Sequence, residues 1–398
     1  MNDVRSHADD LRGASCLAVE ATRGVVELVQ AMHQTIGAGP GVLGRPLDAL
    51  TRSLTGPIYG GIRAATQLVG TSIDAALGQL APLLGESTPG SERDAILAAL
   101  NGVLGDYLAE TGNPLAIQMG FRTEGRTLVL DEAHLRAAIP DAGPKLLMLA
   151  HGSCMNDRQW SRRGHDHGAA LARDLGLTPV YLRYNSGLHV SRNGRELAAM
   201  LERLMEAWPA PIDELVILAH SLGGLVSRSA CHYGEVAGYR WRERLTKLIC
   251  LGAPHHGAPL ERGGNWIDTL LGISRYGAPF ARLGKIRSAG VTDMRFGNVL
   301  DEDWQARDRF ERGADPRTPL PLPAGVDCYA IAGTTARAPA AKLPSDGLVP
   351  VESALGRSER PLLSLAFPDE HRWIAFGTAH LDLLDRAKVY ATLASWLA

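Results

Sequence analysis

The stretch LVILAHSLGGLVSRSA, residues 215–230, decides the fold. Leu215 to Ala219 is apolar, partly β-branched and without polar alternation, the pattern of a short strand buried on both faces. From Leu225 onward the spacing is helical, with Val226 and Ala230 one turn apart and Leu225 beside them. A serine is therefore wedged where a strand must become a helix within a few residues. Such a turn forces its central residue into strained φ/ψ and needs small neighbours. Ala219, Gly223 and Gly224 supply them. The expected geometry lifts the Ser221 hydroxyl clear of the backbone, at the positive end of the following helix. That is the placement of a nucleophile, which still needs a base and an orienter.

Other apolar strand candidates flank this one: KLLMLA (145–150), PVYLRY (179–184), LTKLICLG (245–252) and VDCYAIAG (326–333). They alternate with helical patterns, which predicts a mostly parallel sheet with helices on both faces. Ahead of them, IQMGFRTEGRTLVL (117–130) reads as two strands joined at Glu124-Gly125. Residues 258–325 interrupt the alternation with glycine-rich, partly helical sequence. We read them as a cap insertion over the carboxyl edge of the sheet, where α/β proteins build their sites. Its apolar residues Trp266, Leu270, Leu271, Ile273 and Phe280 suit an acyl chain better than a charged substrate.

The first 112 residues differ in character. Leu17, Ala21, Val25, Leu28, Met32 and Ile36 recur at helical steps, and a glycine- and proline-rich loop follows at 37–46. A second stripe runs from Leu47 to Leu84, and a third helix is predicted from an N-cap at Ser91 to about Glu110. Between Pro46 and Gly85 the only charged residues are Asp48, Arg52, Arg63 and Asp74. The division is thus an N-terminal helical extension over 1–112 and a catalytic domain over 113–398. Residues 14–110 are expected to contact a lipid surface or a helical partner, with simple packing on the sheet domain as the alternative.

The 398 residues are 45% hydrophobic and 21% charged, which fits a globular protein with a sizeable core. A formal net charge of −2 gives no electrostatic reason to expect nucleic acid. The five cysteines (Cys16, Cys154, Cys231, Cys250, Cys328) are odd in number and lack metal-ligand spacing, arguing against a disulfide framework and a structural zinc site. The N-terminus lacks a basic region followed by an apolar one, and no stretch of about 18 residues is continuously apolar. A cytoplasmic location is the expectation.

Three further stretches carry candidate chemistry. LLMLAHGSCMND (146–157) places His151-Gly152 after a strand, so the amide of Ser153, together with that of Leu222, is expected to bind a developing oxyanion. KLPSDGLVPVESA (342–354) holds Asp346 in a tight Asp-Gly turn past a strand end, well placed to orient an imidazole. GTAHLDLLDRAKVYATLASWL (377–397) puts His380 in a loop ahead of the C-terminal helix. The chain order Ser221, Asp346, His380 matches that of the α/β-hydrolase fold. His255 and His256 are rival bases, read as structural or cleft-lining because they directly follow a strand. Cys154 lacks a suggested histidine partner, and Cys231 and Cys250 read as core.

With HG at 151–152, AHSLGG at 219–224, LGAPHHG at 251–257, SDGLV at 345–349 and AHLD at 379–382, residues 146–398 resemble α/β-hydrolases of the bacterial lipase/esterase type, including the branch similar to GPI inositol-deacylases. Ala219 stands where the commoner elbow has glycine. The resemblance implies an α/β-hydrolase fold and hydrolysis of a carboxylic ester, from an acyl-lipid or another apolar ester, through an acyl-enzyme. A thioesterase, amidase or acyltransferase would use the same triad, and an inert lipid- or partner-binding protein is the alternative from another class. No cofactor is implied. Some bacterial lipases hold calcium through an acid two residues after the catalytic histidine, the place of Asp382. Arg386, one turn on, is unfavourable to a cation, so no metal is expected and Asp382 reads as a partner for arginine.

Overall fold

The apolar runs pair side by side. A computed structural model describes residues 90–258, 288–305, 307, 315 and 317–398. Its strands are β1 (Gly120–Thr123), β2 (Arg126–Thr127), β3 (Lys145–Ala150), β4 (Thr178–Arg183), β5 (Glu214–His220), β6 (Leu245–Leu251), β7 (Asp327–Thr334) and β8 (Arg372–Phe376). They form one sheet in the order β2-β1-β4-β3-β5-β6-β7-β8. From β4 through β8 in that order every pairing is parallel, and at one edge β1 pairs antiparallel with both β4 and β2. β8 is the strand that the apolar pattern did not announce.

Nine α-helices are described: α1 (Gly90–Glu110), α2 (Glu132–Ala138), α3 (His167–Leu175), α4 (Val190–Ala207), α5 (Leu222–Val236), α6 (Trp241–Arg244), α7 (Ala289–Asp293), α8 (Val351–Ala354) and α9 (Ala387–Leu397). Side chains alternate across the parallel strands, so two cores form. On one face Leu147, Leu149, Val216, Leu218, Ile249 and Ile331 pack with Leu171 of α3 and with Val389 and Leu393 of α9. On the other, α5 lies close to β3, β5 and β6, and a Cβ built on its Gly224 would meet Cys250 Sγ at 3.3 Å.

Residues 90–111 group with 116–398 in one compact unit. α1 thus packs with the sheet, the arrangement given above as the alternative. Its approach is close, since a Cβ at Gly102 would lie 2.1 Å from Cys154 Sγ and one at Gly105 would lie 1.8 Å from Asn185 Oδ1. The helices expected before residue 90, with residues 14–89 of the expected lipid or partner contact, lie outside the described residues. So do Trp266, Leu270, Leu271, Ile273 and Phe280. Residues 288–300 of the expected cap are mostly buried. Ala289, Val291 and Met294 are in the core, Ser288 Oγ donates to the Gly102 carbonyl of α1 at 2.7 Å, and Asp293 accepts from the Val190 amide of α4 at 2.8 Å.

α1 is fastened to the sheet by charge as well as packing. Asp94 receives Arg122 Nη1 and Arg158 Nε at 3.1 Å each and Arg183 Nη2 at 3.1 Å, while Arg122 also meets Asp157 at 3.1 Å. The Arg122 side chain is buried. Removing one partner of a buried pair leaves an uncompensated charge, so Arg122→Ala should cost roughly 3–5 kcal/mol in urea unfolding. Arg126→Ala, whose partner Glu124 is as exposed as itself, should change stability by less than about 0.5 kcal/mol. Equal effects would contradict this account of α1.

Candidate active site

Ser221 sits between β5 and α5 with φ 54° and ψ −123°, a left-handed backbone that serine rarely adopts. Neighbouring residues hold it there. Its amide donates to the Leu251 carbonyl at the end of β6 (2.8 Å), and its carbonyl accepts from the Gly224 amide (3.0 Å). The turn is tight enough that a Cβ at Gly223 would lie 2.6 Å from the Ala150 carbonyl oxygen and 2.7 Å from that of His151. Ala219 is fully buried between Ala150 of β3 and Cys250 of β6. The strand-to-helix elbow expected from the sequence is present, with its small residues where space is shortest.

Asp346 and His380 come from separate loops past β7 and β8 and meet. Asp346 Oδ1 accepts from the amides of Leu348 (2.9 Å) and Val349 (2.8 Å), which orients the carboxylate. Its Oδ2 takes the proton of His380 Nδ1 at 2.7 Å. The main chain makes a second tie, from the His380 amide to the Asp346 carbonyl at 2.9 Å. Both side chains are buried. With Nδ1 donating, the lone pair of the neutral ring is on Nε2, which has no partner among the described residues. The Ser221–His380 hydrogen bond is thus not made in this structure. His380 lies close to the residue before the serine: the His220 and His380 rings are 4.7 Å apart, and a Cβ at Gly252 would lie 3.2 Å from His380 Cε1.

The loop after β3 also approaches Ser221. A Cβ at Gly152 would come 3.0 Å from Ser221 Cβ, 3.0 Å from His220 Nδ1 and 3.2 Å from Met155 Sδ. Glycine is needed there for space, and the positive φ (58°) of this loop falls on Cys154. Tyr184 Oη donates to the His151 carbonyl at 2.9 Å, and His151 Nδ1 donates to the Gly152 carbonyl at 2.8 Å. Burial pushes His151 down to about 4, so it is neutral and can accept from the Tyr184 amide (3.4 Å) through Nε2. Both carbonyls before Ser153 are thus engaged, and the Cys154 amide is held by Ser186 Oγ at 3.0 Å. Among the described residues no hydrogen bond takes the amides of Ser153 or Leu222.

The rival groups are occupied otherwise. His255 is buried, burial holds its imidazole well below the ordinary range, and no carboxylate orients it. His256 Nδ1 accepts from Arg317 Nη2 at 3.3 Å, and burial lowers it to about 4. Burial raises the Cys154 thiol to about 12, which leaves it unreactive at neutral pH, and raises Cys250 to about 12 and Cys231 to about 11. Asp382 is ringed by cations: Arg163 and Arg386 at 3.1 Å and Arg162 at 3.5 Å. Burial opposes its charge, but the Arg386 hydrogen bond and the arginine charges prevail and hold the carboxyl below the usual range. Three guanidinium groups on one carboxylate do not fit a calcium ligand.

Residues 185–313 match the family model of the PGAP1-like alpha/beta domain. No curated protein matches the sequence significantly. Among solved structures the chain is similar to the mature lipase BlEst2 of Bacillus licheniformis, at 17% identity over 65% of this chain and 93% of that one, with a TM-score of 0.41. It is also similar to the esterase Pf2001 of Pyrococcus furiosus, at 13% identity, 65% and 83% coverage and a TM-score of 0.37. The phospholipase PlaB of Legionella pneumophila is similar at 16% identity, 54% and 46% coverage and a TM-score of 0.34. At these scores the likenesses add no argument to the strand order and the elbow. By that order, that elbow and the family match, the chain is an α/β-hydrolase in fold, similar over residues 185–313 to the PGAP1-like alpha/beta domain.

Proposed function

We propose that the chain is a serine hydrolase of carboxylic esters. The observation that carries this reading is the His380 Nδ1–Asp346 Oδ2 bond of 2.7 Å, which leaves a buried Nε2 without a partner among the described residues, on a ring 4.7 Å from that of His220, next to Ser221 in the chain. Nε2 takes the Ser221 hydroxyl proton as Oγ bonds to the ester carbonyl carbon. The carbonyl oxygen becomes an oxyanion, received by the Ser153 and Leu222 amides, and each such donor is worth roughly 3 kcal/mol in a dry site. As the C–O bond breaks, the imidazolium returns the proton to the departing alkoxide. Water then releases the acyl group by the same path, with His380 as base. Asp346 keeps the proton on Nδ1 throughout.

An acyl-lipid or other apolar ester is the substrate class we favour, on the apolar sequence between β6 and β7. The proposed lipid or partner contact is narrowed to residues 14–89, because α1 packs with the sheet.

Ser221→Ala should lower kcat on a soluble p-nitrophenyl ester by about 10⁶-fold with an unchanged melting temperature. A variant that keeps most of the wild-type rate contradicts the mechanism. Asp346→Asn should lower kcat by about 10⁴-fold, because the other His380 tautomer is then favoured. Asp382→Asn should be far milder; a loss there as large as at Asp346 would transfer the orienting role. Deleting residues 1–89 should spare the soluble ester and depress hydrolysis on phospholipid vesicles, and equal activity on both would sink the proposed contact.

A further inference from the structure

His220 precedes the proposed nucleophile, and the proposed chemistry gives it no part. It is fully buried at the end of β5. Its Nε2 lies 3.2 Å from the His380 carbonyl oxygen. A carbonyl oxygen only accepts, so Nε2 carries the proton and Nδ1 the lone pair. Nδ1 is without a partner among the described residues and sits against the Gly152 backbone, where a Cβ would approach it to 3.0 Å. The Trp160 ring meets His220 edge-on, with centroids 6.4 Å apart. Burial, and after it the charge of His380, holds this imidazole well below its ordinary range. The ring is therefore neutral and adds no cation beside His380.

These contacts complete a pattern around His380. Its amide donates to the Asp346 carbonyl, its Nδ1 to the Asp346 carboxylate and its carbonyl accepts from His220. The first two ties fix His380 to the loop after β7. Only the third fixes it to β5, the strand that carries Ser221. We infer that His220 is a positioning residue that sets the distance between His380 and Ser221 by holding the His380 carbonyl to the nucleophile strand, an inference that rests on the proposed ester hydrolysis for its catalytic consequence.

The test uses the full chain with His220→Phe, which keeps a ring but loses the donor, and His220→Gln, whose side-chain amide restores it; His220→Leu is the second donor-free variant should Phe fail to fold. Proton NMR reads the low-field signal of the Nδ1–H shared with Asp346, independently of turnover. It should persist in the wild type and in His220→Gln and be lost to exchange in the donor-free variants. On a soluble ester the donor-free variants should lose about 10–100-fold in kcat with little change in KM, the scale of a sub-ångström to ångström misplacement, and Gln should recover most of it. A donor-free variant with the wild-type signal and kcat overturns the inference, as does a Gln variant no better than Phe. If the wild type turns over no ester while the signals follow this pattern, the ester reading fails and the positioning role stands.

Discussion

The left-handed backbone at Ser221 is the constraint on which the rest of the structure depends. A φ of 54° on a residue with a Cβ costs free energy, roughly 1–3 kcal/mol, and persists only where the surroundings leave no alternative. They leave none here. The Ser221 amide is bonded to the end of β6, and Gly223 lies so close to the carbonyls of Ala150 and His151 that a methyl group would collide. The strain therefore rests on three adjacent parallel strands, β3, β5 and β6, whose apolar side chains are wholly buried. Core packing and the strained backbone of one serine are the same fact seen from two ends.

Charge is distributed around that serine with one carboxylate–imidazole pair and several imidazoles kept neutral. Burial pushes His151 and His167 down to about 4 and holds His220 and His255 well below the ordinary range. Each then serves as a neutral spacer, donating through one nitrogen where a carbonyl is offered. His380 differs because a carboxylate fixed by two backbone amides faces its Nδ1. Its neighbour in sequence, Asp382, is by contrast spent on arginines, and this acid two residues past His380 thereby secures the C-terminal segment to the loop at Arg162 and Arg163.

Much of this was legible in the sequence because the relevant signals were local. The apolar runs of β3 to β7 have no polar alternation, and Ala219, Gly223 and Gly224 declare a tight turn. β8, RWIAF, escaped notice because it is a half-exposed edge strand that begins with arginine and offers no apolar run. α1 was read as a helix, with packing on the sheet domain given as the alternative to an outward contact. It is buried around nearly its whole circumference from Ala95 to Asp106, the mark of an internal helix, and Gly102 and Gly105 allow Cys154 and Asn185 to press against it. Those glycines were the available clue. The contact of His220 with His380, and the hold of Tyr184 and His151 on the loop after β3, join segments that no spacing along the chain reveals.

The central claim is that Ser221 is an activated nucleophile, and the most direct measurement of it is peptide mapping by mass spectrometry after exposure of the full chain to a fluorophosphonate. The account predicts a single stoichiometric phosphonyl adduct on the peptide containing Ser221, formed at neutral pH and abolished by prior unfolding. No adduct, or one carried by Ser153, Cys154 or another residue in place of Ser221, would contradict it.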